Sequence, residues 1–210
     1  TTTVHIMNLQ IAISGAHRTG KSSLCKTLSQ SLGLPFLESS TTKILQKYGY
    51  EADANLRFPE RMKAQLLLAQ EYDKNFFDNK KFITDRCHFD FMLYSFMEVG
   101  NDFPYDKNLE NEFESYIDSC VKKSKNLDAL YLLQPGIPIF YTKGKASAVT
   151  PLLEKLNLLA LGLISQYNIP CTIIPKDCLD MKQRVEFISA DLNQKFGILP
   201  SIESKIGQSL

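Results

Sequence analysis

The chain has 210 residues, of which 44% are hydrophobic, and this is enough for one domain with a core of its own. Its 24 basic and 23 acidic side chains leave a net charge of +1, which argues against tight binding to duplex DNA or to an anionic membrane. Five cysteines without a C-x-x-C pair, scattered histidines, and no signal peptide or long apolar run predict a cytoplasmic protein with free thiols and no structural metal.

The first predicted strand is the apolar run LQIAIS, residues 9–14. A glycine-rich turn follows it. After the turn, leucines recur every four residues and predict a helix that begins at Lys21 and stops at Gly33.

The rest of the chain alternates between short apolar runs and stretches of helical periodicity. The apolar runs predict four further strands, over 34–39, 80–85, 129–133 and 171–175. The helical stretches predict six further helices, over 41–49, 60–78, 88–99, 109–120, 152–167 and 181–196. This alternation predicts a three-layer α/β fold in which helices flank a five-stranded parallel sheet. We assign 1–210 to a single domain, with a lid-like loop near 134–147 and a loosely held tail over 197–210.

The glycine-rich turn matches the phosphate-loop (Walker A) pattern G-x-x-x-x-G-K-[ST] in full. Glycines let the backbone curl so that successive N–H groups face phosphate oxygens, and the N-terminus of the following helix adds positive potential. We expect Lys21 to neutralise the β- and γ-phosphates and the Ser22 hydroxyl to bind Mg²⁺. The turn therefore predicts an ATP·Mg²⁺ site in a P-loop NTPase fold. Its residues are Gly15, Ala16, His17, Arg18, Thr19, Gly20, Lys21, Ser22 and Ser23.

Charged residues stand at the carboxyl ends of two further predicted strands, which is the edge where parallel α/β sheets bind ligands. Asp85 ends the third strand and can hold Mg²⁺, while Arg86 beside it can grip a phosphate. A salt bridge between the two is the structural alternative. Glu38, near the end of the second strand, can receive the proton of an acceptor hydroxyl or orient it. Its structural alternative is a cap on the next helix.

The remaining candidates concern the acceptor and the lid. Arg61 offers a positive charge for an acceptor phosphate, and Phe89 is an aromatic close to Arg86 on which a base could stack, unless it packs in the core. Lys143 and Lys145 lie in the loop after the fourth strand. They can close over a triphosphate as a cationic lid, or they can belong to a solvated turn.

Together, the phosphate loop, Glu38 and the Asp85–Arg86 pair resemble the small P-loop kinases of nucleosides and nucleotides. This group includes thymidylate kinases, deoxynucleoside kinases and ribosylnicotinamide-kinase-like ATPases. The string HRTGKS is similar to the arginine-bearing phosphate loop of some thymidylate kinases, with His17 where those have Asp. The resemblance implies that Arg86 binds the acceptor and that Glu38 stands where deoxynucleoside kinases place their base. The loop lysines depart from these families, which carry arginine in the lid.

The sequence thus predicts an ATP- and Mg²⁺-dependent phosphotransferase that acts on a nucleoside or a nucleoside monophosphate. It leaves open the base, the sugar and the phosphorylation state of the acceptor. A homodimer is one candidate assembly, and neither a membrane nor a nucleic acid is expected as a partner. The alternative is a P-loop ATPase module that works with a protein or nucleic-acid partner.

Overall fold

The computed structural model describes residues 8–51, 56–76, 78–100, 103–137 and 149–198. Within these ranges the chain forms five strands and seven helices. The elements are β1 (Leu9–Ser14), α1 (Lys21–Leu32), β2 (Phe36–Leu37), α2 (Thr41–Lys47), α3 (Phe58–Phe76), β3 (Lys81–Thr84), α4 (His88–Glu98), α5 (Lys107–Lys125), β4 (Ala129–Leu132), α6 (Thr150–Tyr167), β5 (Thr172–Ile173) and α7 (Met181–Phe196).

The five strands form one parallel sheet in the order β2-β3-β1-β4-β5. In the centre, Ala12 of β1 lies opposite Thr84 of β3 and Leu130 of β4. Because all strands run in the same direction, the residues that follow β1, β2 and β3 meet at one edge of the sheet. This edge holds the phosphate loop, Glu38 and Asp85.

The sheet separates two hydrophobic cores, because successive strand residues face opposite sides. Ile11 and Ile13 pack into a cluster shared with α1 and α7. Ala12 faces a larger cluster shared with α2, α3, α4, α5 and α6. The predicted three-layer fold with a five-stranded parallel sheet is therefore confirmed.

The outermost strands are shorter than the sequence predicts. The runs 34–39 and 171–175 were expected as strands, but β2 and β5 each contain two paired residues. Both lie at an edge of the sheet, where a single neighbour defines the ladder, and Pro35 and Pro175 carry no N–H to extend it. Sequence periodicity indicates an apolar run but not how many of its residues find a partner.

The predicted helices are all present among the described residues, with boundaries shifted by a few positions. The largest shift is at α5, which extends beyond the predicted 109–120 at both ends. At its start, Asp106 caps the helix by accepting hydrogen bonds from the N–H groups of Asn108 and Leu109. None of the helices in this part of the chain combines the length and the apolar character needed to cross a bilayer. Most of the predicted lid and tail lie outside the described residues.

Candidate active site

The turn between β1 and α1 has a backbone that depends on its glycines. Gly15 has φ +130°, and a Cβ at this position would lie 2.3 Å from the carbonyl oxygen of Leu133. Gly20, with φ +91°, stands directly before α1. Both positions lie in the left-handed region that favours glycine, and Gly15 also passes too close to the end of β4 for any side chain. The first glycine of the motif is therefore required by packing as well as by conformation.

Lys21 folds back over this turn. Its Nζ donates hydrogen bonds to the carbonyl oxygens of Gly15 (2.9 Å) and Ala16 (2.6 Å), and only 6% of the residue is exposed. Burial, and after it the positive charge of Arg86, lower the pKa of Lys21 from 10.5 to about 8 against the opposing effects of Asp90 and Asp85. An anion bound at the loop would favour the protonated ammonium.

Ser22 and Asp85 bring two oxygen groups together beside the loop. The Ser22 hydroxyl donates a hydrogen bond to Oδ2 of Asp85, and Oδ1 of Asp85 accepts one from the N–H of Ser39 (3.1 Å). A hydroxyl and a carboxylate in contact suit Mg²⁺, which prefers oxygen ligands and is commonly held by one or two protein groups together with waters and phosphates. The residues present therefore fit the predicted metal.

Glu38 follows β2 at the same edge. Leu37 lies opposite Thr84 in the sheet, so Glu38 and Asp85 continue from paired strand ends. The Glu38 side chain is exposed. The cap position of α2 is held by Ser40, and no side-chain hydrogen bond caps this helix. The alternative interpretation of Glu38 as a helix cap thus gains no support.

Arg86 lies against an aromatic ring that also contacts the phosphate loop. Its guanidinium carbon is 5.0 Å from the ring centroid of Tyr94. The Tyr94 hydroxyl accepts a hydrogen bond from the His17 N–H (3.0 Å) and lies 3.1 Å from His17 Nδ1. No ion pair joins Arg86 to Asp85 within the ranges that the structure describes, so the strand-end salt bridge is not formed.

Asp90 is the main site residue that the sequence analysis missed. It is fully buried on α4 and accepts hydrogen bonds from the Ser14 hydroxyl (2.5 Å), the Gly15 N–H (3.2 Å) and the Cys87 N–H (3.0 Å). Burial raises its pKa, although the charges of Lys21 and Arg86 oppose this effect. The available signal was the spacing of Cys87 and Asp90, since an acidic residue three positions after a helix cap completes a capping box.

Of the two predicted acceptor residues, the structure contradicts one. Phe89 is 0% exposed and belongs to the larger core, so no base can stack on it in this structure, and the assignment is wrong. The aromatic beside Arg86 is Tyr94 instead. Arg61 forms an ion pair with Glu98 (3.5 Å), eight residues and about 12 Å along α4 from Asp90. The role of Arg61 in binding an acceptor phosphate stays a prediction. Lys143 and Lys145 lie outside the described residues.

The fold and this loop define the class of protein. A parallel sheet with a phosphate loop between its first strand and first helix is a P-loop NTPase fold. Within that class, the family described as an AAA domain (AAA_28) matches residues 10–182, and the chain belongs to this family. A comparison with curated protein sequences gives no match.

Several solved structures of kinases and related proteins have a similar fold. The chain is similar to NadR protein in complex with NR, at 12% identity and a TM-score of 0.66, over 94% of this chain but 53% of that one. It is similar to thymidylate kinase from Candida albicans, at 17% identity and a TM-score of 0.64, over 94% and 96% of the two chains. Deoxyadenosine kinase from M. mycoides is 19% identical with a TM-score of 0.57, over 89% and 99%. At these identities the similarity shows the fold, and this chain spans about half of NadR.

Proposed function

We propose that the protein is an ATP- and Mg²⁺-dependent phosphotransferase that phosphorylates a nucleoside or a nucleoside monophosphate. The observation that carries this proposal is the contact of Ser22 with Asp85 at the edge where Glu38 and Arg86 also lie. Hydrolysis of ATP requires the phosphate loop and a metal-binding carboxylate. The Glu38 carboxylate and the Arg86 guanidinium, at neighbouring strand ends, add a group that can take a proton from an acceptor and a group that can bind its phosphate.

Each residue of the site has a separate task in this proposal. Ser22 and Asp85 would hold Mg²⁺, which supplies positive charge to the β- and γ-phosphates when it is bound. Lys21 places an ammonium against the same phosphates. The N–H groups of the loop backbone would orient them.

Arg86 and Glu38 are the residues that would contact the acceptor. Arg86, held against Tyr94, presents a cation to an acceptor phosphate or to the charge that develops during transfer. Glu38 is exposed to solvent at the end of β2, where it can take the proton of a hydroxyl acceptor. If the acceptor is already a phosphate, Glu38 would act by positioning it, because no proton has to leave at neutral pH.

Similar structures support a small acceptor. The thymidylate kinase and deoxyadenosine kinase are named for nucleotide and nucleoside acceptors, and NadR was solved with NR.

The family match favours one alternative function. Because the matched family is an AAA domain, the chain could instead be an ATPase module that acts with a protein or nucleic-acid partner. A single domain, a cytoplasmic location and a homodimer stay predictions.

The test is transfer of labelled γ-phosphoryl from ATP to a panel of nucleosides and nucleoside monophosphates. We expect labelled product with at least one acceptor, formed faster than ATP is hydrolysed without acceptor. Lys21→Ala should lower this rate about a hundredfold or more. Lys26→Ala, which removes an exposed lysine from the same helix, is the matched control and should keep it. Hydrolysis that only a macromolecule stimulates would favour the ATPase module, and no turnover of either kind would contradict both functions.

A further inference from the structure

A buried arginine from the last helix reaches the outer side of the phosphate loop. Arg184 lies on α7 and is 2% exposed. Its Nη1 donates a hydrogen bond to the carbonyl oxygen of Thr19 (3.1 Å), and its Nε donates one to the carbonyl oxygen of Cys178 (2.7 Å). A single guanidinium thus joins the phosphate loop to the connection between β5 and α7.

The bond to Thr19 fixes the orientation of the next N–H group. A trans peptide is planar, with its carbonyl and N–H pointing in opposite directions. Because the carbonyl of Thr19 accepts from Arg184 of α7, the N–H of Gly20 points away from α7, where an anion in the loop would accept from it. Gly20 directly precedes α1, where helix N–H groups lack partners within the helix and are available to an anion.

Arg184 also carries a positive charge that no described carboxylate pairs. Its described hydrogen-bond acceptors are the two neutral carbonyls. The carboxylate of Asp180, the cap residue of α7, attracts this charge but accepts its hydrogen bonds from the N–H groups of Lys182 and Gln183. A buried cation without a directly bonded counter-ion is unfavourable. A polyphosphate that accepts from the Gly20 N–H would lie at the opposite edge of the same peptide group and would add negative charge there.

We propose that Arg184 is a positioning residue for the donor polyphosphate: it holds the Thr19–Gly20 peptide with its N–H towards the phosphates and adds positive charge behind the loop. This inference rests on the proposed function, because it takes the loop as the ATP site. A purely structural role, in which Arg184 only fastens the loop before α7, is the competing explanation. The two differ in their effect on ligand affinity.

The test measures the dissociation constants of Mg²⁺·ATP and of inorganic tripolyphosphate, which has no base or sugar, by calorimetry. We expect Arg184→Gln to raise both dissociation constants at least tenfold. Arg184→Lys keeps the charge but offers one nitrogen in place of the two that bond the carbonyls of Thr19 and Cys178, and we expect it to raise both dissociation constants by about threefold or more. Lys182→Gln removes an exposed cation two residues earlier on the same helix, and its constants should stay within twofold of wild type.

Three results would separate the explanations. A lower melting temperature for Arg184→Gln, with both dissociation constants within twofold of wild type, would overturn the positioning role and leave a structural one. If Arg184→Gln does not fold, unchanged constants in Arg184→Lys would overturn it in the same way. If the wild-type protein binds neither ATP nor tripolyphosphate, the proposed function fails, whatever Arg184 does.

Discussion

The lowered pKa of Lys21 predicts that nucleotide affinity depends on pH. In the free protein, burial and the charge of Arg86 bring this pKa to about 8. Phosphates beside the ammonium would raise it again, so binding above pH 8 must take up a proton. With a pKa of about 8, Lys21 is protonated in about three quarters of the molecules at pH 7.5 and in about one tenth at pH 9. The dissociation constant of Mg²⁺·ATP should therefore rise about eightfold, or about 1.3 kcal/mol, over this interval.

Calorimetry in buffers with different ionisation enthalpies measures this proton directly. At pH 9 we expect uptake of about 0.9 proton per nucleotide bound, and at pH 7.5 about 0.2. Lys21→Arg is the control, because a guanidinium stays charged throughout this range. A pH-independent dissociation constant in the wild-type protein, or the same pH dependence in Lys21→Arg, would refute the assignment of the proton to Lys21.

Nucleotide affinity is expected to fall as pH rises, whereas the Lys21 contribution to the stability of the free protein should increase. The folded pKa of Lys21 lies below the unfolded value, so between about pH 8 and 10.5 the unfolded chain binds more protons than the folded one. Its contribution to the free energy of unfolding therefore rises with pH across this window. Urea unfolding of the wild-type protein and of Lys21→Met, which carries no titrating group at this position, isolates that contribution.

Three further substitutions test the remaining site residues. Asp85→Asn should raise the Mg²⁺ concentration for half-maximal activity about tenfold, because it removes charge from the metal site, and an unchanged Mg²⁺ titration would contradict that role. Glu38→Gln should lower kcat about a hundredfold with a nucleoside acceptor, but raise chiefly KM with a monophosphate, and wild-type constants with every acceptor would exclude both roles. Asp90→Asn should lower the free energy of unfolding by about 2 kcal/mol in urea titrations, because it leaves buried donors without acceptors, whereas exposed Asp118→Asn should have little effect.

Sequence patterns predicted the elements of the site that are local in the chain. The phosphate loop lies between one strand and one helix, and its glycines, lysine and serine are neighbours in sequence. Asp85 and Glu38 could be placed because strand ends in a parallel sheet share one edge. These predictions required only the direction of the strands and the order of the elements.

The rotation of a helix that is buried on all sides could not be predicted in the same way. Most residues in the first half of α4 are buried, because this helix packs against α3, α5 and α6. Such a helix has no polar stripe to mark the side that faces solvent. Phe89 and Asp90 are adjacent in sequence, yet one belongs to the larger core and the other accepts hydrogen bonds from the phosphate loop. The choice of Phe89 as a substrate residue was wrong for this reason.

Residues that hold the phosphate loop come from distant parts of the chain. Asp90 accepts the Gly15 N–H from 75 positions away, and Arg184 donates to the Thr19 carbonyl from 165 positions away. The glycines allow the loop to adopt its conformation, but allowing a conformation does not select it. Asp90 on α4 and Arg184 on α7 therefore bond different peptides of the same loop, one at its start and one just before α1. A substitution at either position should therefore alter nucleotide binding while the Walker A pattern itself stays intact.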